Sequence, residues 1–163
     1  MEANKRSFLK LALLGAGIAS LYSFSWSKVH TDTLALLQED LFPDINEKLN
    51  TRTINARAYL SYILHHPRVS DDDKRFVKRG VVWMDEEAKR LFGASYMQLS
   101  SKRRQEVLAF VAKTQWGESF IEMILTYLFE ALLGDPVYGI NKDEVGWKWL
   151  HHTPGLPRPT APA

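Results

Sequence analysis

The sequence predicts an all-α protein: a compact, irregular bundle of about five helices, then a Gly/Trp-rich loop and an extended Pro-rich tail, preceded by an export signal. Three observations carry that reading. Apolar residues recur at three- and four-residue spacing through the body, the period of one helix face. Ser, Thr or Asp precedes these runs and Gly or Pro follows them, as at helix starts and stops. No stretch alternates apolar with polar residues as a half-buried strand does.

The first 27 residues read as an export signal rather than fold. A basic start leads into Leu11–Phe24, 14 mostly apolar residues, whereas a bilayer span takes about 20. Lys5, Arg6, Phe8 and Leu9 resemble a twin-arginine signal, with Lys5 where the first arginine would stand. That route carries folded cargo; the lysine leaves the general secretory route open as well. The segment is expected either to be cleaved or to stay as an anchor, and the periplasm is the expected location.

Residues 28–152 form the expected helical domain and 153–163 an extended arm. The first helix is expected over Thr31–Leu41, capped by Thr31 or Asp32 and followed by Pro43. A second is expected over Asn50–His66, with Ile54, Ala58, Tyr59, Tyr62 and Ile63 on one face and Pro67 as the stop. Ser70 and Asp73 form a capping-box pattern for the third, whose apolar positions are Phe76, Val77, Val81, Met84, Ala88, Leu91 and Phe92, up to Gly93. The Asp71–Asp73 triplet lacks the spacing of a calcium loop, so it reads as a first-turn complement to the helix dipole. A fourth helix begins at Ser100 or Ser101, with Val107, Leu108, Phe110 and Val111 apolar, and Gly117 separates it from the fifth.

That fifth helix, Glu118–Leu133, is the most informative. Glu118, Glu122, Thr126 and Glu130 form one polar stripe and nearly everything else is apolar. Such a helix is buried on most sides, at the centre of its domain or partly against a partner. Gly134-Asp135-Pro136 ends it. The tail from Thr153 holds four of the chain's seven prolines, so it is extended.

Composition narrows the chemistry. With 163 residues, 45% hydrophobic and 25% charged, the chain is one globular domain's worth. Of its 21 basic and 19 acidic residues, Lys5, Arg6, Lys10 and Glu2 fall within 1–27, leaving 18 of each. A neutral body argues against nucleic acid, and Lys102-Arg103-Arg104 reads as a solvated helix face. The absence of cysteine removes disulfides, thiolate metal sites and iron–sulfur ligation. No Glu-x-x-His pair supports a di-iron bundle, and the adjacent pairs His65-His66 and His151-His152 diverge on a helix. Gly134 and Gly139 lack the Lys-Ser/Thr of a phosphate loop, and no catalytic set assembles.

The sequence therefore favours a protein that works by contact. Attention falls on residues 135–152, where Tyr138, Trp147 and Trp149 are interface-type side chains and Gly139 and Gly146 permit unusual backbone. The competing reading is that the tryptophans close the domain's own core.

Thr114–Gly155 resembles the signature region of the gluconate 2-dehydrogenase subunit 3 family. The matching residues are Phe120 and its apolar helix, Gly134-Asp135-Pro136-Val137-Tyr138-Gly139, Asn141, Val145-Gly146-Trp147 and Pro154-Gly155. The resemblance implies a small, non-catalytic subunit without a cofactor of its own, which stabilises and helps export a large FAD-dependent flavoprotein of the glucose–methanol–choline oxidoreductase type. It also implies a multihaem cytochrome c subunit, so FAD and haem c are expected in the partners. Membrane association would come through the complex or an uncleaved signal. Asp135, Pro136, Tyr138, Gly139, Asn141, Gly146, Trp147 and Trp149 are the expected partner-binding residues. The alternative is a free-standing helical protein of the cell envelope that binds haem or another ligand.

Overall fold

Residues 26–42 and 49–160 are described by a computed structural model, and six α-helices run through them. They are α1 (Lys28–Leu41), α2 (Ala56–His65), α3 (Asp71–Phe92), α4 (Ser101–Val111), α5 (Gln115–Leu133) and α6 (Val145–Trp149). Single 3-10 turns occupy Tyr96–Gln98, Pro136–Tyr138 and Lys142–Glu144. No strand occurs among the described residues, as the all-α reading expects. The expected export-signal residues Lys5, Arg6, Phe8 and Leu9, and the stop at Pro43, lie outside the described residues.

α5 is the central helix: it packs against α1, α2, α3, α4 and α6. Phe120, Ile124, Leu128, Ala131 and Leu132 are buried along it, and a large apolar side chain taken out of water contributes about 1.5–3 kcal/mol. α3 crosses closely because Gly80 meets the Phe120 ring, where a Cβ would collide. Aromatic rings close the rest of that crossing, with Phe76 edge-on to Phe120 at 6.3 Å and Trp83 to Trp116 at 5.1 Å. The outer side of α5 is open, leaving Phe129 and Leu133 exposed.

Helix ends follow local chemistry, and several differ from the sequence reading. α3 matches it: Ser70 Oγ accepts from the Asp73 amide at 3.0 Å, and Gly93 closes the helix in the left-handed region. α1 instead starts at Lys28, with Ser27 as its cap and the Ser27 amide donating to His30 Nδ1 at 3.1 Å. Asp32 is used elsewhere, paired at 2.7 Å with Arg57 of α2.

α2 begins at Ala56 rather than Asn50. The Asn50 side chain accepts from the amides of Arg52 and Thr53 at 3.0 and 3.1 Å, and Asn55 turns left-handed at φ 57°. Side-chain-to-backbone bonds of this kind compete with helix. Ile54 is thus buried from a turn, while Tyr62 of the expected core face stays outside.

Gly117 does not separate α4 from α5. The break falls at Ala112–Thr114, where Thr114 Oγ accepts from the Gly117 amide at 3.1 Å and so caps α5. Phe110 is exposed beneath the Arg90 guanidinium at 4.7 Å, not part of the core. The Gly/Trp-rich segment is no open loop but two 3-10 turns followed by α6.

Arg104 also departs from its expected place on a solvated face. Its Nε and Nη2 donate to the two Asp40 oxygens at 2.6 and 3.0 Å, and Nη1 donates to the Leu99 carbonyl at 2.9 Å. Tyr96 donates to the same carboxylate at 2.8 Å. The Asp40 side chain is 5% exposed and that of Arg104 15%. Burial, then the Asp40 charge, holds the Tyr96 phenol above the ordinary tyrosine range.

This network generates the first prediction. Asp40→Ala strands the Arg104 charge and is expected to cost about 3–5 kcal/mol. Chemical denaturation measures it, with the exposed neighbour Glu39→Ala as control; equal midpoints would refute it. The second concerns pH. The fold favours protonated Tyr96, so its contribution is complete below the unfolded tyrosine value of about 10 and is lost as pH rises above it. Tyr96→Phe is expected to flatten the alkaline fall in stability, read as melting temperature against pH.

Candidate functional site

The segment after α5 folds back over the end of that helix. The last carbonyls of a helix have no partner within it. Here the Trp147 indole donates to the Leu133 carbonyl at 2.6 Å, and Asn141 Nδ2 donates to that of Gly134 at 3.1 Å. Asn141 Oδ1 accepts from the Gly146 amide at 2.8 Å. Gly146 lies against the Leu132 carbonyl, where a Cβ would collide, so α6 can sit on the end of α5 only with glycine there.

The same segment is stitched to the turn before α2. The Asn141 and Lys142 amides donate to the carbonyls of Ile54 and Thr53 at 3.4 and 3.2 Å. Asn55 Nδ2 donates to the Gly139 carbonyl at 2.8 Å. Asp135 caps its own 3-10 turn by accepting from the Val137 amide at 3.0 Å, with Pro136 at the turn's start.

The Pro-rich arm returns to this platform through Arg158. Its guanidinium donates to Asp135 at 3.3 Å and to Glu144 at 2.8 Å, and lies 4.9 Å from the Trp147 ring centroid. The Val137 amide, then Arg158, holds the Asp135 carboxyl below its ordinary value; Asp135 and Glu144 hold Arg158 above its own.

The expected partner-binding residues therefore separate into two sets. Asn141, Gly146 and Trp147 are buried; Asp135 and Pro136 are half-buried. Tyr138, Gly139 and Trp149 face outward.

Tyr138 borders a groove of about 800 Å³ between α2, the end of α5 and the first 3-10 turn after it. Its walls include Asn55, Tyr59, Tyr62, Glu130 and Leu133. Tyr59 donates to Glu130 Oε2 at 2.8 Å, and the Tyr59 and Tyr62 rings stack with centroids 6.4 Å apart. Burial, then the hydrogen bond to Glu130, raises the Tyr59 phenol well above its ordinary value. Tyr62 is 55% exposed and Tyr138 48%.

Sequence reasoning missed this groove by assigning Tyr59 and Tyr62 to the core face of α2. Leu60, Ile63 and Leu64 are the buried residues of that helix, whereas Tyr59 packs only partly against the core and Tyr62 stays exposed.

The histidine pairs occupy local roles. His65 Nδ1 lies 2.7 Å from the Ser61 carbonyl, His66 packs on Tyr62, and His152 packs on Trp147. Among the described residues no group of three or more His, Asp or Glu side chains is arranged to hold a metal, and no helix is long and apolar enough to cross a membrane.

A family model described as gluconate 2-dehydrogenase subunit 3 matches residues 29–155, most of the chain and all of this platform up to Gly155. No curated protein and no solved structure matches the chain.

The third prediction follows from the platform. Asn141→Ala removes two hydrogen bonds, one buried and one partly buried, and places alanine at φ 45°, so it is expected to cost about 2–4 kcal/mol. Asn141→Gly accepts the backbone but still lacks both bonds, and is expected to lie between wild type and alanine in urea denaturation. Alanine tolerated at no cost would show that the amide does not hold the end of α5.

Proposed function

The chain belongs to the gluconate 2-dehydrogenase subunit 3 family, and from that premise we propose that it is the non-catalytic small subunit of a periplasm-facing, FAD-dependent gluconate or sugar dehydrogenase. It binds the flavoprotein subunit, stabilises it and assists its export. FAD, and haem c where a cytochrome subunit is present, reside in the partners.

The observation that carries this reading is the extent of the match, from the second residue of α1 to beyond α6. Family membership itself implies a multi-subunit dehydrogenase. The surface supports a docking role. Tyr62, Phe129, Leu133, Tyr138, Trp149 and Leu150 are large apolar or aromatic side chains left exposed on or near the α5–α6 platform. Aromatic residues of this kind are enriched at the centres of protein interfaces. The export role rests on the signal-like segment around Lys5, Arg6, Phe8 and Leu9.

The test is purification of the full chain, tagged at its C-terminus, from its native host. A larger flavoprotein with flavin absorption is expected to accompany it. In a strain lacking this chain, that flavoprotein is expected to be depleted from the periplasmic fraction. A colourless chain purifying alone would overturn the proposal. Haem absorption from the chain by itself would support the ligand-binding alternative instead.

A further inference from the structure

The groove beside Tyr138 has a charge pattern that specifies what fits it. Two carboxylates line it, Glu130 and Asp135. Asp135 is matched by Arg158. Glu130 accepts one hydrogen bond, from the neutral Tyr59 phenol, and no lysine or arginine among the described residues lines the groove. The remaining walls present Tyr59, Tyr62 and Tyr138, with Leu133 and Ile140 beneath.

Each class of occupant can be weighed. An anionic group would face Glu130 among three phenol rings. A wholly apolar segment would strip water from Glu130 and leave its charge unmatched, which is costly. A cation gains on both counts: ring faces attract it, and the carboxylate forms a charge-assisted hydrogen bond with it. The Tyr59 hydroxyl holds Oε2, leaving Oε1 as the acceptor. A guanidinium suits the site best, because it is planar, stacks on rings and donates in a fixed fork. The volume, about 800 Å³, exceeds one side chain and leaves room for flanking apolar residues.

We propose that this groove seats a basic side chain, an arginine or lysine, projecting from an otherwise apolar segment of the flavoprotein subunit. The inference rests on the dehydrogenase-subunit reading above and adds the anchor that reading lacks. Tyr62 and Tyr138 hold the cation from the sides, and Glu130 neutralises it.

The experiment uses the full chain in its native host. Glu130→Gln keeps an acceptor for Tyr59 and removes the charge. Its dissociation constant for the flavoprotein is expected to rise on the order of ten-fold or more, with a weaker dependence on salt. Tyr59→Phe, which keeps the charge, is expected to have the smaller effect. In parallel, a benzoylphenylalanine photo-crosslinker replaces Ala58, an exposed residue of α2 on the groove wall. It is expected to join a flavoprotein peptide with arginine or lysine beside the attachment point. Unchanged affinity in Glu130→Gln overturns the inference, as does a crosslink to a segment without a basic residue or to any other protein. In those cases wild-type capture of the flavoprotein leaves the subunit reading standing. Failure of the wild-type chain to capture any flavoprotein overturns both.

Discussion

The end of α5 is the constraint from which the functional surface follows. A helix packed against every other described helix ends with its last carbonyls lacking partners within the helix itself. The chain meets that need with side chains from downstream, the Asn141 amide and the Trp147 indole. Those two donors dictate the path between them. The backbone must leave at Gly134, turn through Pro136–Tyr138, reverse at Asn141 and bring α6 onto Leu132 with no Cβ at Gly146. Tyr138 is carried outward by the first of these turns, and the groove opens between it and α2.

The Pro-rich arm completes the charge arrangement. Extended chain makes few bonds of its own, so its position depends on one anchored side chain. Arg158 lies on the Trp147 ring and bridges Asp135 to Glu144. Surface pairs of this kind contribute little stability individually. Their consequence here is distribution of charge: Arg158 matches Asp135 at the groove's edge, while Glu130 keeps its negative charge among the tyrosines. One segment thus both closes the end of α5 with its enclosed side chains and leaves others, Tyr138 and Trp149, exposed.

Much of the fold was legible because its signals are local. Ser70 with Asp73, and Gly93 after Phe92, mark α3 within a few residues of each end. The stripe Glu118, Glu122, Thr126, Glu130 marked α5 as central or partly packed on a partner, since only one polar row breaks an apolar surface, and the packing places it at the centre. What escaped is non-local or depends on competition between bonds. Asn50 and Thr53 hold a turn where helical spacing alone continues the helix. Asp40 and Arg104 stand 64 residues apart, so a basic run gave no sign that one member is buried. Spacing likewise places Tyr59 and Tyr62 on one side of α2 without saying that Leu60, Ile63 and Leu64 take the core.

The distinction between Trp147 and Trp149 shows how a family pattern relates to contact. Both are tryptophans of one short helix, yet Trp147 is enclosed and hydrogen-bonded to α5 while Trp149 faces solvent. Asn141 and Gly146, also in the matched segment, are enclosed as well. These three residues are buried and have almost no surface to offer a partner. Replacing Trp147 would act on docking through the platform, by freeing the end of α5 and the turn that carries Tyr138. In the proposed complex, contact would come from the groove and the exposed aromatic side chains that the enclosed residues hold in place. The pattern Gly134–Gly139, Asn141, Gly146-Trp147 thus combines enclosed scaffold residues with the outward Tyr138, and in the proposed complex Tyr138 would meet the partner together with residues of α2 and the last turn of α5.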